Sequence, residues 1–293
     1  MTDQEVIDLD EVIALPDAKE TVKTLETEHL RNEYMKKAYL LRIILFRDDI
    51  EGSFTPPPFY FKITRFCYLW SFMPEIKDFF DYYAQSTTKH ENWFEYKGTP
   101  VPWDLPFGAV YDMLLATEKN DKNYFDVVFH YRNYPNKVLG PLKNIEYIKD
   151  SIIHNMKEAA WIRSGRNDCV KTFLNPQDVI YIWQYFKSQS IADIHSITDK
   201  LKVQYSSGKL PVKVYIRNTG QLISKSVEAK WKLKDLMQRL FPKIFDVDDE
   251  LKEEYKNFAV FISGIPIPLE TDLSTIDSIF IYMDQFIYLV VAY

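Results

Sequence analysis

Gly98-Thr99-Pro100-Val101-Pro102-Trp103-Asp104 returns later in the chain as Gly264-Ile265-Pro266-Ile267-Pro268-Leu269-Glu270. Both copies read Gly-x-Pro-x-Pro-x-acid, and each follows a short aromatic or aliphatic run, Trp93 to Tyr96 and Val260 to Ile262. The glycine permits a tight turn with positive φ, and the two prolines then hold the chain extended. The copies stand too far apart for a solenoid, whose period is a few dozen residues. They predict two separate domains built on one small fold.

The segments around each copy agree. Tyr39 to Phe46 is an apolar run and Phe59 to Phe66 alternates in strand fashion. Gly52 and Pro56-Pro57-Pro58 lie between them, so the pair reads as a hairpin. Met73, Ile76, Phe79, Phe80 and Tyr83 fall at helical spacing around Pro74, a favourable first-turn residue. Then come a strand from Trp93 to Tyr96, the motif, a short helix from Phe107 to Ala116 and a strand from Tyr124 to Tyr131. Strand, strand, helix, strand, short helix, strand is the order of the ubiquitin-like β-grasp fold.

The last third repeats it. Val212 to Arg217 and Gln221 to Val227 form a hairpin around Asn218-Thr219-Gly220. Leu233, Leu236, Met237 and Leu240 make a helical stripe ended by Pro242, and Phe258 to Ile262 and Phe286 to Tyr293 are strands. Between the halves, residues 144 to 205 carry helical stripes: Ile145, Ile148, Ile152, Met156, then Val179, Ile182, Trp183, Phe186, then Ile191, Ile194, Ile197, Leu201. The expectation is an α+β chain with two ubiquitin-like β-grasp domains, 38–135 and 210–293, flanking a helix-rich domain, 136–209. Ahead of them lies an acidic extension, 1–37, a mobile tail that leads into a charged helix from roughly Thr21 to Lys37.

Composition narrows the function. The 293 residues are 46% hydrophobic and 16% aromatic with 8 glycines, a globular and core-rich balance. Lys+Arg 36 against Asp+Glu 42 leaves no dense basic face, so no nucleic-acid partner is expected. Cys67 and Cys169 are too few and too separate for a disulfide framework or a zinc site. The N-terminus lacks a signal-peptide pattern, and runs such as Phe286 to Tyr293 are too short to span a bilayer. A reduced, soluble, cytoplasmic protein is predicted.

Motifs of catalysis are missing. There is no phosphate-binding glycine loop, no Gly-x-Ser-x-Gly and no His-Glu-x-x-His. His29, His90, His130, His154 and His195 are scattered without metal spacing. Cys169 beside His154 or His195 is the one pairing from which a nucleophile could be built, against the commoner case of an ordinary thiol. The acidic run Asp246 to Glu250 lacks the glycine of a calcium loop and reads as a solvated loop. No catalytic residue, cofactor or metal is expected.

Two β-grasp halves around a helical spacer resemble the autophagy protein 5 family. Trp93-Phe94-Glu95-Tyr96-Lys97-Gly98-Thr99-Pro100, running on through Trp103, Pro106, Gly108 and Asp112 to Leu114, is similar to the family's signature. Pro58-Phe59-Tyr60-Phe61 and Arg65-Phe66-Cys67-Tyr68-Leu69 resemble the strand before it, and Leu210 to Tyr215, Gly264 to Glu270 and Asp284 to Tyr288 its second ubiquitin-like domain. Met156-Lys157-Glu158-Ala159 matches the helical segment where the family carries an acceptor lysine. Lys37-Ala38-Tyr39-Leu40 departs from the Trp-x-Gly with which the family usually opens its first strand.

The resemblance implies a role in the autophagy conjugation system. A ubiquitin-like modifier, autophagy protein 12, would be joined by isopeptide bond to Lys157. The N-terminal helix of the coiled-coil autophagy protein 16 would bind beside it. The complex would promote transfer of autophagy protein 8 from its conjugating enzyme to phosphatidylethanolamine, in peripheral contact with the membrane of the preautophagosomal structure. Such a chain acts like a ligase without an active site of its own. The alternatives are an adaptor that binds the modifier non-covalently and a cysteine protease for ubiquitin-like proteins.

An acceptor lysine needs chiefly position, because the conjugating enzyme brings the thioester. Ile145, Ile152, Met156 and Ala159 define one face of a helix, and Lys157 lies at its border, where its stem covers apolar surface while the ammonium reaches water. Lys149 and Lys171 are the competitors. For the partner helix, Trp103, Phe107 and Gly108 are the candidates for an aromatic groove. Lys36, Lys37 and Arg42, or Lys62 and Arg65, would offer a basic patch to anionic lipid.

Overall fold

The computed structural model describes residues 29–50, 54–84, 92–114, 124–142, 144–166, 168, 170, 174–202, 207–217, 219–246, 248, 250–262 and 264–293. Residues 29–35 are helical (α1) and bury Tyr34 and Met35 against the rest of the chain, while the part of the expected helix ahead of residue 29 lies outside the described residues. Ala38–Leu45 (β1) and Phe59–Thr64 (β2) pair antiparallel, with Tyr39 opposite Ile63 and Leu41 opposite Phe61. Met73–Phe80 (α2) carries Pro74 in its first turn and buries Met73, Ile76 and Phe80.

Trp93–Tyr96 (β3), Thr99–Pro100 (β4), Phe107–Leu114 (α3) and Phe125–His130 (β5) complete the first sheet, in the order β2-β1-β5-β3-β4. β5 runs parallel to β1 and antiparallel to β3, so a parallel centre is flanked by hairpins. The turn from β3 to β4 has positive φ at both Lys97 (47°) and Gly98 (82°), as a two-residue hairpin of the primed type requires. Lysine is strained there, and glycine is not.

Three helices follow: Ile145–Ser164 (α4), Pro176–Ser188 (α5) and Ile191–Lys202 (α6). Asn175 begins α5 with a reciprocal capping box, its side chain accepting from the Asp178 N–H while the Asp178 carboxylate accepts from its own.

The second sheet repeats the first. Lys209–Ile216 (β6), Gln221–Glu228 (β7), Leu233–Leu240 (α7), Ala259–Ile262 (β8), Ile265–Ile267 (β9), Leu273–Phe280 (α8) and Ile287–Ala292 (β10) give the order β7-β6-β10-β8-β9. β10 is parallel to β6 and antiparallel to β8. The chain is therefore α+β, with two ubiquitin-like sheets and a helical region between them. Gly264, φ 73°, makes the same turn before β9 that Gly98 makes before β4. The helix α8 is an addition to the expected elements.

Candidate functional site

Lys157 lies on α4, whose ends are well defined. The Asn144 side chain accepts the Tyr147 N–H at 2.9 Å, and Gly165, φ 72°, closes the helix in the left-handed region. One face of α4 is core: Ile148, Ile152, Met156 and Ala159 are buried. Lys157 is half-buried at the border of that face, and it has no hydrogen bond or ion pair among the described residues. Lys149, by contrast, pairs with Glu146 at 3.1 Å. Lys171 lies outside the described residues.

Two polar anchors bracket Lys157. Asn155, two residues before it, donates from Nδ2 to Asp284 Oδ2 at 3.3 Å and accepts from Lys213 Nζ at 3.1 Å. The Tyr288 hydroxyl donates to the same Asp284 oxygen at 2.6 Å, and Lys213 Nζ sits 4.4 Å from the Phe286 ring centre. Asp284 is wholly buried, and that burial pushes its carboxyl above the ordinary carboxylate range while Lys213 pulls it back. Six residues after Lys157, Arg163 is buried and forks onto both oxygens of Asp277, with a further bond to the Gln285 carbonyl at 2.9 Å. These groups reach from α4 into the second β-grasp domain. They set the height and rotation of the helix that carries Lys157.

The three residues expected to form a partner-helix groove are packed inside the chain. Trp103 is buried, donates from its indole to the Gly140 carbonyl at 3.1 Å and meets the Tyr147 ring at 5.5 Å. Phe107 is buried against Tyr39, with ring centres 5.5 Å apart. Gly108 does allow a close backbone approach, but the approaching groups are internal: Tyr282 Oη would stand 2.2 Å and Arg65 Nη2 2.8 Å from an added Cβ. The physical reason is that a large aromatic next to a glycine serves a domain junction as well as a docking groove.

The expected basic patches change in part: Lys37 and Lys62 are exposed, but Arg65 is not. Arg65 is fully buried beneath the Tyr34 ring, its guanidinium carbon 3.5 Å from the ring centre and Nη2 3.3 Å from the Tyr282 hydroxyl. Arg42 is paired with Asp126, and Lys36 with Glu33. Sequence reasoning missed Arg65, Asp112, Arg163 and Asp284 as the polar groups that join the domains. One signal was present: Arg65 is a lone charge ahead of the apolar run Phe66-Cys67-Tyr68-Leu69.

Of the two cysteines, Cys67 is buried, donates to the Phe186 carbonyl at 3.2 Å, and has its thiol pushed up to about 12 by burial. A thiol so held is no nucleophile at neutral pH. Cys169 lies outside the described residues. Among the described residues no cluster of three or more His, Cys, Asp or Glu is disposed to hold a metal, and no helix is long and apolar enough to cross a membrane.

Twin ubiquitin-like sheets on either side of a helical region define a double β-grasp protein. Family models extend the match: residues 36–131 fit the model "Autophagy protein ATG5, UblA domain" and residues 209–291 fit "Autophagy protein ATG5, UblB domain". Together they cover more than half of the chain, and the chain belongs to the autophagy protein 5 family. Its role therefore lies in the conjugation system of autophagy. Autophagy protein 5 of Debaryomyces hansenii is 22% identical over 276 residues, 86% of this chain and 91% of that one. Autophagy protein 5 of Oryza sativa subsp. indica is 31% identical over 167 residues, 56% of this chain and 42% of that one. The crystal structure of Kluyveromyces marxianus Atg5 superposes with a TM-score of 0.73 at 22% identity, covering 90% of this chain and 99% of its own.

Proposed function

We propose that this chain accepts the ubiquitin-like modifier autophagy protein 12 on Lys157. The neutral Nζ amine attacks the thioester carbonyl between the modifier's C-terminal glycine and its conjugating enzyme. The C–N bond forms, the C–S bond breaks, and the enzyme leaves as thiol after taking up the proton released from nitrogen. The chain itself contributes position, and it needs no catalytic residue for that.

The conjugate, with the N-terminal helix of autophagy protein 16 bound, then acts as a ligase-like scaffold. It promotes transfer of autophagy protein 8 from its conjugating enzyme to phosphatidylethanolamine, in the cytoplasm at the preautophagosomal membrane, in peripheral contact with it. The observation that carries the acceptor reading is Lys157 itself. It is half-buried on a helix braced at Asn155 and Arg163, without hydrogen bond or ion pair among the described residues, while Lys149 is engaged by Glu146.

A reconstituted reaction of the full chain, the modifier and its activating and conjugating enzymes tests the assignment. A reductant-resistant, slower band is expected with the wild type and absent in Lys157→Arg. If that variant still conjugates at the wild-type rate, another lysine is the acceptor. If the wild type retains the modifier on a column yet forms no covalent band, the chain is a non-covalent adaptor.

A further inference from the structure

Neighbours on a helix surface stand three or four residues apart, so Lys157 has Ile153, His154, Ala160 and Trp161 within one turn on α4. His154 is the titratable side chain among them. Glu158 follows Lys157 directly and points about 100° away, and Asp150 lies two turns back, about 10 Å along the axis. Helical side chains lean towards the N-terminus, which brings the Lys157 stem over the turn that carries Ile153 and His154. His154 is exposed, Lys157 is half-buried, and neither has a hydrogen bond or ion pair among the described residues. The backbone between them is fixed from below: Asn155 is held by Asp284 and Lys213, and Met156 is buried. Lys149 has the opposite kind of neighbour. Glu146, three residues before it, pairs with its ammonium and so favours the charged form.

We propose that His154 is a catalytic residue of the conjugation at Lys157, the base that takes the proton from Nζ as the amide bond forms. The proposal rests on the acceptor role given above. Position makes the bond possible, and this base sets its rate. The Nζ lone pair attacks the thioester carbonyl, and the nitrogen becomes cationic as the C–N bond forms. One proton passes from Nζ to the neutral imidazole. The C–S bond breaks, and the imidazolium gives that proton to the departing sulfur, so His154 ends as it began. Imidazole suits the task because it is neutral at about pH 7.5 and still basic enough to take a proton there, whereas a carboxylate is too weak a base. The two side chains are not bonded in the free chain; contacts of this kind tighten when the reaction partner arrives.

Asp150 and Glu158, one turn to either side of His154 on α4, are the charged groups that face it together with Lys157. No group of another described element is bonded or paired with it, and Lys213 and Asp284, packed against the same turn, are engaged with Asn155.

The test is single-turnover conjugation of the full chain by conjugating enzyme already loaded with the modifier, followed from about pH 7 to about 9.5. His154→Gln keeps a polar side chain without its basicity, and is expected to conjugate about a hundredfold more slowly at the low end of that range. The gap narrows as pH rises, because hydroxide then removes the proton. His154→Ala is equally slow, and added imidazole restores a good part of its rate, since the exposed position admits a free base from solvent. The half-saturating concentration of the loaded enzyme and the melting temperature are unchanged in both variants.

A wild-type rate for His154→Gln overturns the proposal. So does a slowing that is the same at every pH and indifferent to imidazole, the mark of a lost contact with the conjugating enzyme. Either failure leaves the Lys157-dependent band in place. Absence of that band in the wild type removes the acceptor role, and this proposal with it.

Discussion

Asp112 accepts a hydrogen bond from the backbone N–H of Gly264. Asp112 stands in α3, within the tryptophan-rich segment that begins at Trp93, and Gly264 opens the second Gly-x-Pro-x-Pro copy. The two copies are therefore linked in space as well as in sequence. α3 lies against β8 and β10, so the short helix of the first β-grasp domain packs on the sheet of the second. Asp112 is buried, and its carboxylate meets an amide that a tight turn leaves outside the strand ladder.

Asp112→Ala should destabilise the chain by about 2 kcal/mol, because a buried amide loses a charged acceptor. Asp112→Asn keeps an acceptor oxygen and should lose less. Urea unfolding reads both. Equal, negligible losses would mean that the junction is held by apolar packing alone.

Gly108→Ala inserts a methyl group where Tyr282 Oη, Arg65 Nη2 and Arg65 Cβ stand at 2.2, 2.8 and 3.0 Å. Overpacking of this kind costs about 1–3 kcal/mol. Tyr282→Phe removes the nearest of these atoms, so the double variant should lose less than the sum of the two single ones. Strict additivity in unfolding free energies would show that the methyl group is accommodated elsewhere.

Asp284 predicts a pH dependence whose sign can be worked out. Burial raises its carboxyl above the ordinary 3.8, so the folded chain holds that proton more tightly than the unfolded chain does. Its contribution to stability is therefore fullest below 3.8 and declines as pH rises through the raised folded value. Asp284→Asn can still accept from Tyr288 but does not titrate. The wild-type minus variant difference in urea midpoint should fall as pH rises above about 4. A difference that stays flat or rises would show that Lys213 and the hydrogen bonds outweigh burial.

The doubling of the fold was legible because glycine and proline act locally: positive φ at Gly98 and Gly264 needs no tertiary knowledge. The border position of Lys157 was legible for a similar reason, since helical periodicity alone separates Met156 and Ala159 from the outer face. The helix α8 was not. Leu273, Ile276 and Phe280 do stand at helical spacing, but the serines, threonine and aspartate between them are poor helix formers, and burial of Leu273 and Ile276 supplies what propensity lacks. Trp103, Phe107 and Arg65 failed for a different reason. A sequence shows that a side chain is large or charged, but whether it faces a partner or the rest of the chain is decided by contacts distant in sequence, such as Trp103 with Gly140 and Arg65 with Tyr282.

Cys67 should resist alkylation. With its thiol pushed up to about 12 it is protonated at pH 8, and it is buried as well. Peptide mass spectrometry after iodoacetamide treatment should find Cys67 unmodified in the folded chain and modified after denaturation. Rapid labelling of the folded chain would reopen a cysteine-based chemistry for this residue.

Arg163 connects the stability of α4 to the behaviour of Lys157. Its planar fork holds both Asp277 oxygens and the Gln285 carbonyl, a geometry that a lysine ammonium cannot reproduce. Arg163→Lys keeps the charge and should still lose about 2 kcal/mol, while Arg163→Ala leaves Asp277 without the fork and should lose about 3–5 kcal/mol. The functional consequence is separable from the loss of stability. Well below the melting temperature of Arg163→Lys the chain remains folded, but the helix end is no longer pinned to α8. Conjugation at Lys157 should then slow severalfold, while Lys200→Ala, which breaks only the Asp178 pair on another face of the helical region, leaves the rate at the wild-type value. Equal rates for Arg163→Lys and wild type would mean that the acceptor amine tolerates a loosely held helix, and that docking of α4 serves stability only.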